Sequence, residues 1–94
     1  MGKAEYKVIG GKLIKVQLSV KGNMIEKIKV TGDFFLHPEE LIEELEEALV
    51  GQALNEYGLT KIIKAILEKN KATLLGASPE DFAKCIMMAG EKNG

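Results

Sequence analysis

From Leu13 to Thr31 the chain alternates apolar and polar side chains in two successive runs, and no other feature constrains its fold as strongly. In the first run Ile14, Val16, Leu18 and Val20 fall on one side, with Lys15, Gln17 and Ser19 on the other. After Lys21-Gly22-Asn23 the pattern resumes, with Ile28 and Val30 facing one way and Lys27 and Lys29 the other. Successive side chains of an extended strand point to opposite faces, so each run reads as a half-buried strand and the pair as a hairpin. Directly opposed residues of an antiparallel pair share a face. A two-residue Gly22-Asn23 loop with regular pairing would set Lys27 against Leu18 and Ile28 against Gln17, polar against apolar throughout. Parity therefore predicts a three-residue loop or a bulge near Glu26, pairing Val16 with Ile28 and Ile14 with Val30. An earlier strand, Glu5 to Ile9, leads in through Gly10-Gly11, where positive φ carries little steric cost. The predicted sheet is a three-stranded antiparallel meander.

One face of that sheet is rich in Ile and Val, and helices must cover it. The first helix is expected to start with Pro38 at its first position, Glu39 and Glu40 in its first turn and Leu36 stapled against Leu41. Its buried stripe is Leu41, Ile42, Leu45, Ala48 and Leu49, and Gly51 stops it. A second helix runs from Glu56 to Lys69 with Asn55 as its cap and Leu59, Ile62, Ile63, Ile66 and Leu67 inward. Ser78-Pro79-Glu80-Asp81 opens a third, with Phe82, Ile86 and Ala89 at helical spacing and Gly90 as the stop. Lys71 to Ala77 reads as a connector. The expected fold is α+β, a three-stranded antiparallel meander with about three helices packed on one face. It forms one domain over residues 1–94, because a chain of this length has no room for a second core.

Charge is segregated along the chain. Residues 1–29 hold seven lysines against Glu5 and Glu26, whereas residues 33–56 hold Asp33 and seven glutamates with no lysine. The surface is therefore expected to be dipolar despite a net charge of −1. There is no arginine, the residue whose planar fork best grips phosphates and base edges, so nucleic acid is not an expected partner. No apolar run approaches the roughly 18 residues of a membrane span, and no secretory signal precedes the first strand, so a cytoplasmic, membrane-independent protein is expected. Cys85 is the single cysteine and His37 the single histidine. That excludes zinc or iron–sulfur ligand spacing, and Cys85 is expected as a small apolar residue on the third helix.

The residues offer little catalytic chemistry. Glu39 and Glu43, Glu40 and Glu44, and Glu43 and Glu47 fall four apart on the first helix and form a charged face, costing about 1 kcal/mol in like-charge contacts. Glu46 and Glu47 also stand against the helix dipole. Such a face is either solvated among neighbouring lysines or kept for a basic partner, with Glu43 and Glu47 as the interface candidates. Gly10-Gly11-Lys12 lacks the spacing of a phosphate loop and reads as a turn, from which Lys12 could still touch an acidic partner. His37, beside Pro38, reads as a residue at a helix cap, with no nucleophile or orienting carboxylate placed beside it. Asp33, after Gly32, is expected to bond nearby backbone N–H groups through its carboxylate. Phe34 and Phe35 are adjacent in extended chain and cannot both enter one core. Parity sends Phe34 inward and Phe35 outward, where it is a candidate anchor for another protein.

The succession GGKLIKVQLSVKGNMIEKIKVTGDFFLHPEELIEELEEALVG resembles the accessory, C-terminal domain of lipoate–protein ligases, in particular the form that occurs as a separate small polypeptide in archaea. Its most specific pieces are Gly10-Gly11 with Lys12, the Gly32-Asp33-Phe34-Phe35 turn, Pro38, and the helix end from Leu45-Glu46 to Gly51. The resemblance implies a non-catalytic subunit that docks on a large catalytic subunit and enables ATP-dependent activation of lipoate to lipoyl-adenylate, before transfer to an acceptor lysine. Lipoate, ATP and Mg would bind the partner, and this chain would bind no cofactor alone. The alternatives are a protein-binding or self-associating module of the same fold without a ligase role, and, third, an independent small enzyme.

Overall fold

The computed structural model describes residues 2–91. Strands β1 (Gly2–Lys7), β2 (Leu13–Lys21) and β3 (Met24–Gly32) form an antiparallel sheet in the order β1-β2-β3. Its inner face carries Ala4, Ile14, Val16, Leu18 and Val30, all buried, while Lys3, Lys15, Gln17, Lys27 and Lys29 are exposed on the other side. This is the meander that the alternation predicts.

Its register differs from the expected one by two residues. Val16 opposes Val30 and Leu18 opposes Ile28, with a bulge between Ser19 and Val20 after which Val20 opposes Ile25. Gly22 and Asn23 do form a two-residue turn, both at positive φ (57° and 68°), as a type I′ hairpin requires. The mismatch of faces such a turn would impose is removed by leaving Glu26 as the extra residue of β3. That shift lets Ile25, on one side of Glu26, and Val30, on the other, both reach the core. Parity fixes which face each residue takes, but pairings that differ by two satisfy it equally.

β1 also ends earlier than expected. Its pairing with β2 stops at Lys7, Val8 accepts from Gly11 N–H to close a turn, and Ile9 is left 95% exposed rather than in a strand. A second, two-stranded sheet was not foreseen. β4 (Phe35–His37) pairs antiparallel with β5 (Thr73–Leu75), which lies inside the expected connector. His37 is therefore a strand residue rather than a helix cap. Pro38, joined to it by a cis peptide bond, lies in a turn in which Leu41 N–H donates to Pro38 O and Ile42 N–H to Glu39 O. The helix α1 (Leu41–Leu49) starts three residues later than its proline suggested, with Glu43 and Glu44 in its first turn.

α2 (Glu56–Lys69) has the expected bounds, and Asn55 Oδ1 accepts from Gly58 N–H at 2.7 Å. α3 (Pro79–Glu91) opens with Ser78 Oγ–H donating to Asp81 Oδ2 and Asp81 N–H returning to Ser78 Oγ. It does not stop at Gly90, which lies within the helix. A Cβ there would stand 2.8 Å from Leu54 Cδ1, so glycine serves close packing instead of termination. α3 lies on the inner face against β1 and β2, α1 runs along β3, and α2 packs on α3 and α1. Cys85 is wholly buried between α3 and the sheet, its Sγ 3.7 Å from the carbonyl oxygens of Ala4 and Ile14.

One acidic side chain has a structural task that its sequence position concealed. Val30 N–H, on the outer edge of β3, donates to Glu46 Oε2 at 2.7 Å. The carboxylate thereby satisfies a backbone donor at the rim of the sheet, a place where an open edge would invite another strand.

Candidate docking surface

The ribbon formed by β4 and β5 turns one face to the core and the other to solvent. Leu36 opposes Leu74 on the inner face, with Leu36 buried. Phe35 opposes Leu75 on the outer face, where they remain 53% and 58% exposed. The Phe35 ring lies parallel to the His37 imidazole, with centroids 6.4 Å apart. Next to this ribbon stands the turn between β1 and β2. Lys12 N–H donates to Gly76 O at 2.8 Å, which ties the turn bearing Ile9 to the residue that follows Leu75. Phe35 and Leu75 thus stand opposite one another on the ribbon's outer face, and Ile9, also exposed, is carried by the turn bonded to that ribbon.

The backbone around them is held by close contacts that only glycine permits at two points. A Cβ on Gly11 would lie 2.5 Å from Gly76 O, and one on Gly32 would lie 2.2 Å from Leu13 O and 3.0 Å from the Phe34 ring. Gly10 and Gly51 turn the chain at positive φ, 71° and 87°. Phe34 turns inward as parity predicts and meets Phe82 edge-to-face at 4.8 Å, an arrangement favoured by the ring quadrupoles. Between β3 and the start of α1 the ribbon end opens into a groove of about 350 Å³, lined among others by Val30, Gly32, Phe34, Phe35 and Ile42, with Glu39 on its wall.

The expected site residues divide into two groups. Lys12, Asp33, Phe34 and Phe35 converge at this end. Lys12 is exposed and packs its side-chain carbons on Gly76. Asp33 acts through its backbone, N–H donating to Leu13 O at 3.0 Å, and its carboxylate has no hydrogen bond among the described residues, contrary to the turn role expected of it. Glu43 and Glu47 are exposed on α1 and take no part in lining the groove. Ile9 and Leu75 were missed. Leu74-Leu75 carried the same signal as Phe34-Phe35, two adjacent apolar residues that extended chain must send to opposite sides, but in a segment too short to read as a strand.

Electrostatics add little at this end. The Glu80 carboxyl is held below its ordinary range by a backbone hydrogen bond at the start of α3 and then by Lys64, 3.4 Å away. Among the described residues no group of three or more His, Cys, Asp or Glu side chains could hold a metal ion. Among the described residues no helix is long and apolar enough to cross a membrane. An apolar end with two extended strands and a shallow groove is suited to holding a protein surface, since aromatic and aliphatic anchors carry most of the energy of such contacts.

Comparison with known proteins bears on what that surface holds. A family model described as the bacterial lipoate protein ligase C-terminus matches residues 4–86. Lipoate-protein ligase A subunit 2 of Thermoplasma acidophilum is 36% identical over 74 residues, covering 79% of this chain and 76% of that protein. A solved structure from the bipartite lipoate protein ligase and E2 lipoyl domain system of the same organism matches with a TM-score of 0.72 at 32% identity, covering 90% of each chain.

Proposed function

We propose that this chain, which belongs to the bacterial lipoate protein ligase C-terminus family, is the accessory subunit of a two-component lipoate–protein ligase. It docks on the large catalytic subunit and enables ATP-dependent activation of lipoate to lipoyl-adenylate, ahead of transfer to an acceptor lysine. Lipoate, ATP and Mg bind the large subunit. The contribution of this chain is conformational: by binding the activation-competent arrangement of its partner more tightly than other arrangements, it raises the population of the competent form.

The observation that carries this reading is the apolar end built by Ile9, Phe35 and Leu75 in a chain whose relative is a ligase subunit. Those side chains are the anchors of the docking surface, with Lys12 and Glu39 at its polar rim. The test is pyrophosphate release from ATP and lipoate. This chain alone gives none, the large subunit with this chain gives it, and Leu75→Asp shifts the half-saturating concentration of this chain upward by about tenfold, the loss of an interface anchor worth roughly 1–2 kcal/mol. Release by the isolated chain, or identical titrations for Leu75→Asp and wild type, contradicts the proposal.

A further inference from the structure

The two outer edges of the three-stranded sheet are finished differently. At β3 the chain closes its own edge: Val30 N–H donates to Glu46 Oε2, Ile25 N–H donates to Gln52 O, and Ile25 O accepts from Gly51 N–H. β1 is the other edge. Which of its backbone groups face outward follows from the register. Asp33 N–H donates to Leu13 O and Val8 N–H donates to Lys12 O, so the odd-numbered residues of β2 bond β3 and the even-numbered ones bond β1. Ile14, Val16 and Leu18 therefore engage the backbone of Tyr6, Ala4 and Gly2, and the N–H and C=O groups of Lys3, Glu5 and Lys7 point away from the sheet. Among the described residues no backbone–backbone bond closes them. β1 also lacks a proline, a bulge or an inward charge, the usual guards of an edge, since its inner-face residues are Gly2, Ala4 and Tyr6.

We infer that the β1 edge pairs antiparallel with β1 of a second copy of this chain, about a two-fold axis at Ala4, joining two three-stranded sheets into one of six strands. Outward groups must meet outward groups, so Lys3, Glu5 and Lys7 oppose one another and the possible registers step by two. Axes at Lys3 or Glu5 set like charges face to face. An axis at Tyr6 keeps only residues 5–7 within both strands. The axis at Ala4 pairs residues 2–6 and sets Lys3 opposite Glu5 of the second copy, and Glu5 opposite its Lys3. Both side chains are exposed, and among the described residues neither is engaged in a side-chain hydrogen bond or ion pair. On the inner face Ala4 meets Ala4 in the close, non-hydrogen-bonded pairing that small side chains suit, and Gly2 faces the half-buried Tyr6 of the second copy, an aromatic set against an edge glycine. α3 covers both β1 and β2, so strands about 4.8 Å apart bring the two α3 helices to roughly 10 Å, the distance at which helices pack. The ribbon stays free, because Lys7 already lies about 10 Å from the axis and the turn bearing Ile9 continues away from it. The pairing therefore does not depend on the accessory-subunit reading.

The experiment is sedimentation equilibrium of the full chain, at concentrations up to about 100 μM because so small a contact makes a weak dimer, and at about 50 mM salt where charge contacts are least screened. Wild type is expected to dimerise. Glu5→Lys sets lysine against lysine at both symmetric contacts and should raise the dissociation constant about tenfold. Lys3→Glu/Glu5→Lys exchanges the two charges and should restore it to within about twofold of wild type, a rescue that only the Ala4 axis predicts. Glu5→Pro removes an outward N–H that β2 does not use and should leave a folded monomer by circular dichroism. Wild type that is monomeric throughout overturns the inference, and so does a dimer that Glu5→Lys leaves unchanged or that the exchanged pair fails to rescue. A monomer whose β1 amides gain protection only when the large subunit is added would assign the edge to that subunit and overturns it as well.

Discussion

The three-stranded sheet and the two-stranded ribbon solve the same problem in opposite ways. Each buries one face, Ile14, Val16, Leu18 and Val30 in the sheet and Leu36 in the ribbon. The sheet then turns lysines outward, whereas the ribbon turns Phe35 and Leu75 outward. A solvated lysine face costs the fold little and is compatible with an isolated chain. Phe35 and Leu75 exposed together forgo burial that would have stabilised the domain at roughly 25 cal/mol per Å². A lasting contact therefore belongs at the element whose outer face is apolar in spite of solvent.

The sharpest way to break this contrast is to put a charge on each side of one strand. Val16→Asp buries an unpaired carboxylate in a wholly enclosed site and is expected to unfold the domain, a loss of more than about 4 kcal/mol. Lys15→Asp, its exposed neighbour, should leave the thermal melt by circular dichroism within about 0.5 kcal/mol of wild type. Equal destabilisation by the two would reverse the assignment of faces.

The three phenylalanines grade the ribbon end more finely. Phe82, 3% exposed, should cost about 3–5 kcal/mol on truncation to alanine. Phe34, half-buried with its ring edge-to-face on Phe82, should cost about 2 kcal/mol. Phe35→Ala should cost less than about 1 kcal/mol in the isolated chain, since most of its surface is already in water. Denaturant midpoints in this order support the inward and outward placement of the doublet, and a Phe35 loss equal to that of Phe34 rules it out.

A smaller effect distinguishes a structural acid from a surface one. Glu46→Ala removes the carboxylate that accepts from Val30 N–H on the edge of β3 and should cost about 1–2 kcal/mol, part of the loss being recovered by water. Glu43→Ala, on the exposed face of α1, should be neutral or slightly stabilising, because it relieves like-charge contacts four residues apart. If both are neutral in urea melts, the Glu46 hydrogen bond contributes nothing to stability.

The same contrast governs what could be read from the residues themselves. The sheet was legible because nine-residue strands repeat the period-2 signal many times, and their turn has its own chemistry in Gly22-Asn23. α2 was legible to its ends because Asn55 caps it locally. The ribbon was not: its strands are three residues long and are paired across the chain from His37 to Thr73, so neither periodicity nor a turn announces them. Pro38 suggested a helix start, but the strand ahead of it delays the helix to Leu41. At the proposed docking end, the Phe34-Phe35 doublet announces an outward aromatic, whereas Ile9 and Leu75 are joined to it by a backbone bond, Lys12 N–H to Gly76 O, that no sequence pattern encodes. Glu46 could not be told from its neighbours, since its partner is a backbone group sixteen residues away.

Whether the apolar ribbon or the charged faces hold the large subunit is decided by amide hydrogen exchange of this chain with and without that subunit. Slowed exchange is expected on complex formation across residues 8–12, 35–37 and 73–75, with the amides of β2 and α2 unchanged. Protection confined to the exposed face of α1 or to the strands bearing Lys3, Lys15 and Lys29, with the ribbon unaffected, would contradict docking at the ribbon.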